Sequence, residues 1–135
     1  MLKQALLISG SSIFVLLGVA HLYYTFINNK FKARDAAVTE AMKNTQPLLT
    51  RQITMWKAWI GFNGSHSLGA IFFGTINIVL AVQYFQVVGN SFILQALNIA
   101  VCCCYLLLAV RYWFKIPTLG IIIANICYAV AAIIP

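Results

Sequence analysis

The chain has 135 residues, 62% of them hydrophobic and only 8% charged, with a net charge of +7. Soluble domains carry about a quarter charged residues, so this composition cannot cover a water-facing surface and excludes an ordinary globular domain. The basic excess lies outside the apolar stretches, which argues against nucleic acid and for the lipid bilayer, with its anionic headgroups, as the partner.

The first apolar run covers residues 5–27. A helix rises about 1.5 Å per residue, so about 20 apolar residues cross a hydrocarbon core of about 30 Å, and this run is long enough. Lys3, the run itself and Gly18-Val19-Ala20 imitate a cleaved signal peptide. Apolar character nevertheless continues through Leu22, Tyr23, Tyr24, Phe26 and Ile27, longer than a signal core, so the segment is expected to remain as a span. Residues 28–58 form a basic loop that holds Lys30, Lys32, Arg34, Lys43, Arg51 and Lys57 together with both acids, Asp35 and Glu40. Its Ala-rich part, 30–44, is expected to extend the first helix into the cytoplasm until Pro47 breaks the pattern. The stretch 48–57 mixes Leu, Ile, Met and Trp with Arg51 and Lys57 and suits a segment lying along the interface.

Further apolar runs cover 59–84, 92–109 and 116–134, with a turn at 86–91. In lipid a span must satisfy its own backbone, and the alternation of a barrel strand is absent, so the expected fold is all-α. One transmembrane domain over 1–135, an integral membrane four-helix bundle, is the reading. With four spans, the 28–58 loop and the turn bearing Arg111 and Lys115 share one side, and Lys3 alone is on the other. By the positive-inside rule the basic loop is cytoplasmic and both termini are outside. Trp56, Trp59 and Trp113 lie at that same basic boundary, where indole rings favour headgroup depth. Lys30, Lys32, Arg51, Lys57, Arg111 and Lys115 are the expected headgroup contacts.

Winding each run at about 100° per residue gathers the intramembrane polar and small residues on one face. The stripes are Gly10, Phe14, Gly18, His21 and Thr25 in the first helix; Asn63, His66, Ser67, Gly74 and Asn77 in the second; Gln95, Asn98, Cys102 and Tyr105 in the third; and Thr118, Asn125 and Tyr128 in the fourth. Packing alone accounts for such stripes, because small residues let helices approach and buried amides bond across the interface at about 0.6 kcal/mol each. Depth adds something to the histidines. Each of His21 and His66 lies roughly 10 Å inside the cytoplasmic boundary, level with the other. Tyr105 and Cys102 reach nearly the same layer, which gives a ligand-binding expectation of His21, His66, Asn63, Ser67, Tyr105 and Cys102.

Several chemistries suit that layer. The two imidazoles can be axial ligands of a b-type haem, with Gly18, Gly64 and Gly69 leaving room for a porphyrin, in a haem- or quinone-linked redox protein. With Cys102 they can hold a soft transition metal. They can also hydrogen-bond a hydrophobic ligand arriving from lipid or relay protons, or each can simply be satisfied by Tyr105, Ser67 or an amide. An oligomeric channel or small-solute transporter is a further reading and requires a stable homo-oligomer, because four short helices leave little room for a pore. Cys102, Cys103 and Cys104 point about 100° apart on a helix and cannot chelate one ion together. No phosphate loop, HExxH or GxSxG occurs, and the only carboxylates sit in the basic loop, so a hydrolase is disfavoured and a non-enzymatic role with a ligand or membrane-protein partner is preferred.

The four-span layout, a histidine in the first helix and the stretch Trp59-Ile60-Gly61-Phe62-Asn63-Gly64-Ser65-His66-Ser67-Leu68-Gly69 opening the second resemble small uncharacterised bacterial inner-membrane proteins, DoxX-like in size and layout. The resemblance implies a bacterial plasma-membrane bundle and nothing about its activity.

Overall fold

The computed structural model describes residues 1–134. Helix α1 covers Leu2–Phe26 and is followed by a 3-10 turn at Asn29–Phe31. Then come α2 (Ala36–Asn44), α3 (Met55–Gln83), α4 (Phe85–Asn90), α5 (Phe92–Tyr112) and α6 (Lys115–Ile133). There is no strand among the described residues. Helices α1, α3, α5 and α6 are long and apolar enough to cross a membrane. Only 17% to 28% of the most apolar stretch of each is buried in the protein, which leaves most of the apolar surface for acyl chains. The chain is an all-α, multi-pass membrane protein.

Its contacts form two compact units, one of Met1–Leu17 with Ala70–Pro135 and one of Gly18–Gly69. The first unit is a four-helix bundle made by the start of α1, the second half of α3, α5 and α6, with α4 at the turn. Phe14, Val88, Cys102 and Ile121 are its largest fully buried apolar side chains. The Phe14 ring meets Phe73 edge-on at 4.8 Å and Tyr105 at 5.2 Å. Helices approach closely where side chains are small: a β-carbon at Gly10 would lie 3.1 Å from that of Cys127.

Among the described residues, the buried polar side chains of this unit are paired. Ser11 Oγ donates to the Leu7 carbonyl at 2.6 Å, so Tyr128 donates its hydroxyl hydrogen to Ser11 at 2.7 Å. Asn125 Nδ2 reaches the carbonyls of Cys102 and Ile121 at 3.1 and 2.9 Å, and Gln4 and Lys3 donate to the carbonyls of Ala81 and Ile134. Asn98 Nδ2 donates to Asn77 Oδ1 at 2.7 Å, while Asn77 Nδ2 is held by the Phe73 carbonyl at 3.0 Å. Asn98→Leu therefore strands one buried carbonyl oxygen. A loss of about 0.6–1.7 kcal/mol is expected in a detergent-titration unfolding curve; no change would mean that Asn77 finds another donor.

Helix ends differ from those expected because hydropathy marks where lipid begins, not where hydrogen bonding stops. α3 starts at Met55, ahead of the apolar run at 59, since Thr54 Oγ1 accepts from Lys57 N at 3.3 Å and caps the first turn. α5 continues through Val110, Arg111 and Tyr112 to the α5–α6 turn, which Thr118 Oγ1 fastens to the Ala109 and Phe114 carbonyls. The expected turn at 86–91 is mostly the short helix α4, joined to α5 through Ser91, which accepts from Leu94 N at 3.3 Å.

The second unit is a hairpin of the end of α1 and the start of α3, joined by the basic loop. The expected cytoplasmic extension of the first helix over 30–44 is not continuous with it. α1 stops at Phe26, where two asparagines follow, and a separate helix α2 begins behind Asp35, whose carboxylate accepts from Ala37 N at 2.9 Å. Glu40 pairs with Lys43 at 2.7 Å on that helix. A backbone bond from Met55 N to the Thr45 carbonyl, 2.9 Å, closes the stretch in which Leu48 and Leu49 stand fully exposed.

Candidate functional site

The second unit carries a polar cluster between its two helices. Asn63 and His66 are three residues apart on α3 and so share a face, turned towards His21 on α1. His21 Nε2 lies 2.9 Å from Asn63 Oδ1. Asn63 Nδ2 is already committed to the Trp59 carbonyl at 2.8 Å, which fixes the amide with its oxygen towards the imidazole. The bonding network therefore assigns the hydrogen to His21 Nε2 and leaves Nδ1 of the neutral ring as an acceptor. His66 stands edge-on to His21, ring centroids 5.3 Å apart and planes at 71°. On another side Phe31 lies 4.4 Å from the His21 ring, and Trp59 Nε1 holds Phe31 in place by donating to its carbonyl at 3.2 Å. Ser67 is buried and turns its hydroxyl back to the Asn63 carbonyl at 2.8 Å, a helix-internal bond.

Of the six expected ligand-binding residues, His21, His66, Asn63 and Ser67 are thus gathered in the second unit. Tyr105 and Cys102 are part of the packing of the first, Tyr105 against Phe14 and Trp113, and Cys102 fully buried. All four cysteines are free thiols. Among the described residues no three His, Cys, Asp or Glu side chains gather closely enough to hold a metal ion.

The histidine pair as arranged does not fit bis-imidazole ligation of a haem. An ion held at about 2 Å by a nitrogen of each of two opposed rings sets their centroids roughly 6 Å apart. Here they are 5.3 Å apart, and His21 Nε2 is spent on Asn63. The space at Gly64 that a porphyrin would need is taken by Phe26, whose ring would lie 3.1 Å from a β-carbon there.

One turn further along both helices the unit opens into a cleft of about 280 Å³. Thr25, Phe26 and Asn28 at the end of α1, Phe31 and Lys32 beyond it, and Trp56 and Ile60 on α3 form its walls. Phe31 is common to both features, one wall of the cleft and the cover of His21. Sequence reasoning placed Lys32 among headgroup contacts and Trp56 at the boundary, but missed Phe31, because a single aromatic inside a basic loop carries no periodicity.

These features define a multi-pass α-helical membrane protein in which an amide-tethered histidine, His21, stands against a second, His66, beside an amphipathic cleft. No family model, no curated protein and no solved structure matches the chain. The resemblance in layout to DoxX-like proteins therefore brings no function to it, and the functional reading rests on its own residues.

Proposed function

We propose that the protein is a non-enzymatic ligand-binding protein of the bacterial plasma membrane, and that its histidine cluster receives the polar head of a hydrophobic molecule entering from the bilayer. The observation that carries the reading is the His21–Asn63 bond. It orients a half-buried imidazole with one acceptor nitrogen uncommitted to the amide, and aromatic rings flank it. Such a group accepts from a hydroxyl head of the quinol type and offers little to a fully ionic ligand. An ionisable side chain within a span is costly to keep unless it serves a purpose, which adds weight to a binding role. The same reading sets the basic loop in the cytoplasm and both termini outside, supported by eight of the nine basic residues falling in the two loops on that side.

Titration of the purified protein, labelled with ¹⁵N at histidine, with a short-tailed benzoquinol tests this. Saturable shifts of both imidazoles are expected. His21→Ala and Asn63→Leu should each weaken binding at least about tenfold, the worth of one or two buried hydrogen bonds. Circular dichroism on both variants separates lost binding from lost fold. Unmoved imidazoles, or shifts that persist in both variants, would remove the reading. A Soret band in the purified protein that His21→Ala abolishes would replace it with the haem alternative.

A further inference from the structure

One cation of the basic loop, Lys32, lines a cleft. Residues 28–58 contain six basic and two acidic side chains, a net charge of +4. Both acids are engaged, Asp35 in capping α2 and Glu40 in its pair with Lys43. Lys30 rests over the Tyr24 ring, 4.5 Å from its centroid. Lys32 has no ion pair or hydrogen bond among the described residues, and it stands on the wall of the 280 Å³ cleft. Asn28 and the Trp56 indole line the same cleft, and neither side chain makes a hydrogen bond to a described residue. The remaining walls include Phe26, Phe31 and Ile60.

Taken together, an ammonium group, a primary amide and an indole N–H offer more donors than acceptors to whatever sits between them, the amide oxygen being the one acceptor. A phosphate, with several acceptor oxygens and a negative charge, satisfies that set. The surrounding apolar surface then decides the source. A soluble phosphate ester would leave Phe26, 61% exposed, and Ile60 uncovered, whereas acyl chains running from the cleft would cover them. The volume is below the range of pockets that enclose whole drug-sized ligands, so it suits a headgroup whose tails stay in the bilayer. We infer that the cleft binds one anionic phospholipid, its phosphate against Lys32 with Asn28 and Trp56 as further donors, and its tails passing over Phe26 and Ile60. Neither Lys32 nor Asn28 belongs to the histidine cluster, so this site and the quinol site can fail independently.

Native mass spectrometry of the detergent-solubilised protein, given equal amounts of phosphatidylglycerol and phosphatidylcholine with identical chains, provides the test. Preferential retention of one phosphatidylglycerol is expected. Lys32→Gln should reduce that preference about fivefold, the factor that one lysine contributes near an anionic membrane surface. Lys57→Gln, exposed and outside the cleft, should leave it unchanged. Equal retention of the two lipids would overturn the inference. So would equal losses in the two lysine variants, which would reduce the effect to general surface charge. Displacement of the lipid by glycerol phosphate at millimolar concentration would show that the headgroup alone is recognised and overturn the lipid assignment.

Discussion

Phe14→Ala is expected to lower the unfolding free energy of the protein by roughly 2 kcal/mol in a bilayer-like medium, with the four spans still inserted. Phe14 is fully buried and is the largest such side chain, with Phe73 and Tyr105 packed edge-on against its ring. In a water-soluble protein the same exchange costs about 3–5 kcal/mol, part of it the transfer of the ring between water and core. That part vanishes here, because a helix separated from its neighbours is still in lipid and its phenyl ring is as well solvated there as in the bundle. What remains is the cavity: a ring of roughly 100 Å³ at about 24 cal/mol per Å³ gives the expected value. Unfolding measured by steric trapping in bicelles reads it directly. A loss under about 0.5 kcal/mol would mean that the site collapses or that Phe14 faces acyl chains.

Much of this fold was written in hydropathy, since each span is a run of apolar residues long enough to cross, and runs do not depend on what they pack against. The histidine cluster was legible for a related reason. A helix fixes the angle between residues, so Asn63, His66 and Ser67 had to share a face. What escaped the sequence depends on single bonds and on the path of the loop. Thr54 and Asp35 start helices by accepting one backbone hydrogen each, a local event that no hydropathy window registers. Phe31 reaches His21 only because the chain turns back after Phe26 and Trp59 anchors it. Matching depths along helix axes placed Tyr105 and Cys102 in one layer with the histidines, an expectation about depth and not about which side chains touch. Those two residues contribute to the packing of the bundle core around Phe14 and Asn125.

Gly74→Val should be the most damaging single exchange in the bundle, costing about 3 kcal/mol or more, with Gly74→Ala at about 1–3 kcal/mol. A β-carbon at this position would lie 2.5 Å from the Ser11 carbonyl oxygen, 2.7 Å from Val15 Cγ2 and 3.0 Å from Val15 N. Two of those three atoms are backbone, so no rotamer change relieves the clash and α1 itself must move away from α3. That movement pulls on Phe14, which lies between Ser11 and Val15 on the same helix and is packed on Phe73 from α3. Gly61→Ala supplies the contrast, because nothing lies within 4 Å of a β-carbon there. Helix propensity alone would favour alanine over glycine at both positions by up to about 1 kcal/mol. The two exchanges should therefore differ in sign, neutral or slightly stabilising at Gly61 and clearly destabilising at Gly74, in the same thermal or steric-trap unfolding experiment. Equal effects at the two glycines would mean that α1 and α3 do not approach each other backbone to backbone, and the close-packed bundle described for the first unit would have to be abandoned.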